Sequence, residues 1–154
     1  MTDKVTVSVI KADVGSVCGH SKPHPKMMSV CGDVLKDGVR AGTINDFYVT
    51  RVGDDINLFM THHKGENNCD VHGLAWEAFQ QAAKLAKEMK MYAAGQDILK
   101  DAFSGNIRGM GPGAAEMEFV ERGSEPVVFF MADKTFACGR PSRARSSTFR
   151  FRAL

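Results

Sequence analysis

Apolar and polar residues alternate through Val5-Thr6-Val7-Ser8-Val9-Ile10, a period of two carried by β-branched side chains, and this predicts a first strand that runs into Lys11-Ala12-Asp13. After a polar loop holding Gly19, Pro23 and Pro25 the spacing changes. Apolar positions at Met27, Met28, Val30, Val34 and Leu35 predict a helix over 26–37, with Pro25 tolerated in its first turn and Gly38 closing it. Phe47–Val52 and Ile56–Thr61 read as two strands joined through Gly53-Asp54-Asp55, a hairpin. The longest helical period runs from Asp70 to Met91, with Val71, Leu74, Ala75, Ala78, Phe79, Ala82, Leu85 and Ala86 on one face and Asp70 as N-cap. A glycine-rich stretch from Gly105 to Gly113 precedes an alternating strand over 115–121. Pro126–Ala132 is continuously apolar, which predicts a strand buried on both faces and ending at Asp133.

Composition narrows the class without naming a function. The 154 residues are 44% hydrophobic and 25% charged, which suits one globular domain. The longest apolar run, Val127–Ala132, is far below the roughly 18 residues needed to cross a bilayer, and the N-terminus has no apolar signal segment. A cytoplasmic protein with no membrane association is expected. The net charge of +2 arises in the tail: residues 136–154 carry five arginines and no acid, leaving −3 on residues 1–135. Nucleic-acid binding through that tail would rest on electrostatics alone, without a recognisable domain, and none is expected. Cys18, Cys31, Cys69 and Cys138 form no C-x-x-C pair and read as reduced thiols, Cys18 as a small buried or half-buried one.

Three of the expected strands terminate in carboxylates: Asp13, the pair Asp54 and Asp55, and Asp133. If the strands lie side by side, as in open α/β sheets that bind ligands beyond their strand ends, the aspartates converge. Clustered carboxylates repel, and a hard cation is the usual remedy, which points to Mg²⁺ and a phosphate ester. Gln96 could add an amide oxygen and His20 an imidazole. Against this, an aspartate after a strand is also a common turn or cap residue. The run Ser104–Gly113 could cradle a phosphate with its backbone N–H groups or simply connect two elements, and it lacks the ending of a P-loop. His62 and His63, adjacent on a strand, point to opposite faces, so a zinc site shared with His72 is disfavoured.

Several strings together resemble a known family. Ser8-Val-Ile-Lys-Ala-Asp-Val-Gly-Ser16 with Gly19-His20, Val52-Gly-Asp-Asp55, Ala93-Ala-Gly-Gln-Asp97, Phe103-Ser-Gly-Asn106 with Arg108-Gly-Met-Gly-Pro-Gly113, and Phe130-Met-Ala-Asp-Lys-Thr135 are similar to the N-terminal part of the bifunctional fructose-1,6-bisphosphate aldolase/phosphatases. The resemblance covers residues 4–135. It implies an α/β (α+β) fold, part of an α-β-β-α sandwich with a mixed sheet and two main helices. It further implies a Mg²⁺-dependent enzyme of gluconeogenesis that joins two triose phosphates and removes the C1 phosphate of fructose 1,6-bisphosphate to leave fructose 6-phosphate, working as a homo-octamer. By position, Asp13, His20, Asp54, Asp55, Gln96 and Asp133 match metal ligands. His20, Tyr92, Gly105, Asn106 and Lys134 match substrate contacts.

Residues 136–154 depart from the family. Where its members continue with Glu-Pro-Gly and a long C-terminal half bearing the Schiff-base lysine, the proton-donating tyrosine and further aspartates, this chain has Phe136-Ala-Cys-Gly-Arg140 and an Arg-rich tail. The expectation is therefore a homologous part over 1–135, a disordered, non-homologous tail over 136–154 from truncation or a shifted frame, no catalytic lysine or tyrosine, and no aldolase activity. The alternative to a working phosphatase is a fragment that binds Mg²⁺ and phosphosugar without turning it over.

Overall fold

Lys4–Ala12 (β1) has apolar side chains on both faces, and a strand of that kind needs partners on both edges and cover on both sides. The computed structural model, which describes residues 4–98, 111–120, 122, 127–131 and the backbone of 147–148, supplies them. Asp46–Val52 (β2) and Asp55–His62 (β3) form the expected hairpin, β3 lies against β1, and Gly113–Val120 (β4) takes β1's other edge, in the order β2-β3-β1-β4. Every one of these pairings is antiparallel, with Ala12 opposite Ile56 and Lys11 opposite Gly113. The turn has two central residues, and Gly53, at φ +61°, takes the positive φ required at the first.

Two helices, Pro25–Arg40 (α1) and Cys69–Glu88 (α2), pack on one another, and together with the inward residues of β1 and β3 they enclose the core. Ile10, Ile56, Leu58, Met60, Leu35 and Phe79 are essentially inaccessible to water. Side chains of this size contribute about 1.5–3 kcal/mol each on burial. The stripe Ala75, Ala78, Ala82 and Ala86 lets α2 approach closely. An α+β fold with two main helices is thus in place, its second sheet face carrying a smaller cluster of Val7, Val9 and Phe59. No helix among the described residues is long and apolar enough to cross a membrane.

Three local expectations are corrected. Gly38 does not stop α1, which continues to Arg40. A Cβ at Gly38 would lie 2.2 Å from Leu74 Cδ2, so the glycine permits the contact between helices rather than ending one. The N-cap of α2 is Asn68, whose Oδ1 accepts from the N–H groups of Asp70 and Val71, and Asp70 is instead drawn to Lys64 at 2.9 Å. The apolar run 126–132 is not a strand buried on both faces: its described part forms only the short Val128–Phe129 (β5), paired with Ser147–Thr148 (β6), and Phe130 is 82% exposed. Phe129 and Met131 turn inward onto the cluster around Phe59, which Phe129 meets edge-on at 5.0 Å. Among the described residues β5 has only the short β6 beside it, so alternation returns and Val128 and Phe130 face water. The remainder of 136–154 lies outside the described residues.

Candidate metal and phosphate site

Antiparallel pairing, not the parallel arrangement of open α/β sheets, is what brings the aspartates together. β1 ends beside the start of β3, so Asp13 leaves the sheet next to the hairpin turn that carries Asp54 and Asp55. Asp13, Asp54 and Asp55 are all at most 5% exposed. After Asp13 the chain bends through Gly15, at φ +130°, where a Cβ would meet Ala86 Cβ at 2.9 Å and Ala94 Cα at 3.1 Å. Ser16 then exchanges two backbone hydrogen bonds with Tyr92, which ties this loop to the segment after α2. Gly19 and His20 both take positive φ, and the turn swings the imidazole back over the aspartates. His20 Nδ1 lies 2.7 Å from Asp54 Oδ2 and 3.9 Å from Asp13 Oδ2.

Ligand atoms of Asp13, His20 and Asp54 all lie within 4.8 Å of one another, the one such grouping of three among the described residues. Burial, reinforced by the Asp54 charge, pushes the Asp13 carboxyl up to about 7, although the Gly15 N–H opposes this. Burial also raises Asp55, and Lys11, whose ammonium sits 2.5 Å from Asp55 Oδ2, works against it. Carboxylates held this closely are satisfied by a cation. The donor set of carboxylate oxygens plus one imidazole suits a divalent metal. Two buried polar atoms nearby in the chain, Ser16 Oγ and Asn57 Oδ1, have no hydrogen-bond partner among the described residues, which suits a site that takes a ligand.

Around this centre the structure places some of the expected residues and leaves others aside. Tyr92, half exposed, stands edge-on to His20 with ring centroids 4.6 Å apart, so two of the expected substrate contacts adjoin. Gln96 occupies the turn that leads to Asp97. Gly105, Asn106, Asp133 and Lys134 lie outside the described residues.

Asp97 is a site residue that sequence reasoning passed over. Its Oδ2 accepts the Asp13 N–H at 2.9 Å, its own N–H donates to the Asp13 carbonyl at 3.0 Å, and its Oδ1 accepts the Gly111 N–H at 3.2 Å. It therefore fixes the backbone of Asp13, a candidate metal ligand, against the end of the glycine-rich run. An acid set among Ala93, Ala94, Gly95 and Ile98 was the available signal. Lys11 was also legible in principle, because it falls in phase with Val7 and Val9 on an apolar strand face.

The histidines behave as alternation requires. His62 is buried and His63 exposed, the latter bonding the Lys4 carbonyl at 2.8 Å. Lys64 N–H donates to His62 Nδ1, so Nε2 carries the proton and donates to Ser8 Oγ, which in turn donates to Glu116. Glu116 also accepts from Asn67 N–H and His72. This network spans β1, β3, β4 and the start of α2 and is a structural pin. Cys18, Cys31 and Cys69 are free thiols, and Cys18, on the turn before His20, is exposed rather than buried.

Comparison with known proteins identifies the family. Residues 4–140 match the family model described as fructose-1,6-bisphosphatase. The chain is 62% identical over 135 residues, 88% of its length, to a fructose-1,6-bisphosphate aldolase/phosphatase of Ignicoccus hospitalis, covering 35% of that protein. Proteins of the same name from Thermococcus kodakarensis and Methanocaldococcus jannaschii are each 60% identical over 133 residues, 86% of this chain and 36% and 34% of theirs. The chain thus spans about a third of the length of the curated relatives it matches. By the extent of the match and by the residues that carry it, the chain belongs to the fructose-1,6-bisphosphatase family.

Proposed function

We propose that this chain carries the metal-binding and phosphate-facing part of a Mg²⁺-dependent fructose-1,6-bisphosphatase, which cleaves the C1 phosphate with water to give fructose 6-phosphate and inorganic phosphate. The observation that carries the reading is the convergence of the buried Asp13 and Asp54 with the half-buried His20. Asp55 and Gln96, with Asp133, extend the ligand set in this reading, and Tyr92, Gly105, Asn106 and Lys134 contact substrate. Bound there, Mg²⁺ supplies positive charge that polarises a phosphoryl group and offsets charge in the transition state. The chain's own residues orient: Asp97 fixes the Asp13 backbone, and His20 and Tyr92 present an imidazole and a phenol to the phosphosugar.

A place in gluconeogenesis, a cytoplasmic location and homo-oligomeric assembly belong to the same proposal, supported by the relatives' name and the family resemblance. The test is release of phosphate from fructose 1,6-bisphosphate by the purified chain with Mg²⁺. Release that disappears in Asp54→Asn is expected. Binding of Mg²⁺ and sugar phosphate without release favours the alternative, a binding fragment that does not turn over.

A further inference from the structure

Asp55 already holds a cation, and it is one that the chain itself supplies. Lys11 Nζ lies 2.5 Å from Asp55 Oδ2, with the carboxylate side chain 2% exposed and the lysine side chain 26%. Yet Asp55 is not Lys11's direct partner across the β1–β3 ladder. That partner is Asn57, two residues along the same face of β3. Diagonal and direct cross-strand neighbours are both within reach of a long side chain.

Asn57 is completely buried, and its Nδ2 donates to the Asp55 carbonyl at 3.3 Å, which keeps the amide in the same cluster. Its Oδ1 has no hydrogen-bond partner among the described residues. A buried acceptor without a donor is costly, and a lysine ammonium is a donor with three protons and no acceptor need of its own. The lysine stem runs past Gly113, where a Cβ would lie 3.6 Å from Lys11 Cγ and 3.8 Å from Cε. The stem can therefore stay in place while the head group moves.

We propose that Lys11 is the resident cation of the site: its ammonium neutralises Asp55 until a divalent metal takes that carboxylate, and then crosses to Asn57 Oδ1. The inference rests on reading Asp55 as a metal ligand. Its logic is charge balance. With Asp13, Asp54 and Asp97 close by, an uncompensated Asp55 adds to the repulsion, whereas an ammonium and a divalent ion on one carboxylate repel each other. One of them has to leave, and the unpartnered amide oxygen gives the ammonium a place to go.

The test is Mg²⁺ alone titrated calorimetrically into the full chain, its Lys11→Met and Asn57→Leu variants, and the double variant. Lys11→Met removes the competitor and tightens Mg²⁺ binding about tenfold. Asn57→Leu weakens binding in the presence of Lys11 and has no effect in its absence. Lys11→Arg, which keeps the charge and grips a carboxylate with two parallel bonds, weakens Mg²⁺ binding and serves if the methionine variant does not fold. Unchanged or weaker affinity in Lys11→Met overturns the proposal, as does unchanged or tighter affinity in Lys11→Arg. So does an Asn57→Leu effect of equal size in both backgrounds, which makes Asn57 a ligand of the ion. A chain that does not bind Mg²⁺ at all removes the functional reading and this inference with it, whereas binding indifferent to Lys11 removes the inference alone.

Discussion

Asp13 makes the stability of the metal-free chain depend on pH. Its folded-state value of about 7 stands above the roughly 4 of an unfolded aspartate, so between those values the folded form binds more protons. Stability contributed through this group accordingly falls as pH rises from about 4 to about 7, and it stays low above that. Asp13→Asn removes this dependence: urea unfolding without metal at pH 5 and pH 8 shows a smaller difference for the variant than for the parent. His62 acts with the opposite sign, since burial lowers its value and stability through it falls as pH drops below about 6.5. Glu116 is a second residue with a measurable role. Replacing it with alanine strands the Ser8 hydroxyl, the Asn67 N–H and His72, and should cost about 1–3 kcal/mol in urea unfolding. Asp13, Asp54 and Asp55 were legible in the sequence because the end of a strand is a local signal. Lys11 and Asp97 showed only as charges among apolar or small neighbours and Asn57 not at all, because each acquires its role from a partner that register or a loop brings near from elsewhere in the chain.

Elements were legible where their period was long and their punctuation unambiguous. The hairpin around Gly53, the central strand and the body of α2 follow directly from alternation and helical spacing. Helix ends did not, since capping depends on which side chain folds back, and Asn68 is better placed to do so than Asp70. Gly38 shows how the same residue can mean two things: a stop signal in sequence, a contact point in space. Gly38→Val drives a branched side chain into Leu74 and should lower stability by about 1–3 kcal/mol. The companion change Leu74→Ala should recover part of the loss, read as a non-additive double-mutant cycle in urea. Gly15→Ala is expected to be harsher on the site than on the core. Its positive φ and its approach to the Ala94 backbone mean that any relief displaces the segment carrying Tyr92 and Asp97.

Across the whole molecule the two faces of the sheet differ. One packs against α1 and α2, and the other bears Val7, Val9 and Phe59 with Phe119, Phe129 and Met131 around them, while Met117 and Phe130 remain substantially exposed. An apolar surface of this kind attracts other apolar surfaces. Phe130→Ser should reduce the fluorescence of a bound apolar dye without lowering the unfolding midpoint. The α+β class could be read from the order of elements, but the burial of 126–132 could not, because a run of apolar residues reports only that cover is suitable and not that the described chain provides it.

The most direct test of the account is a thermal melt of the chain and of Asp54→Asn, each with and without Mg²⁺ plus fructose 1,6-bisphosphate. A ligand that binds only the folded state at a hundred times its Kd adds about 2.7 kcal/mol of stability. The account predicts a cooperative transition raised by the two ligands in the parent chain and left in place in Asp54→Asn. A cooperative transition that neither ligand moves, or that moves equally in both proteins, would contradict it.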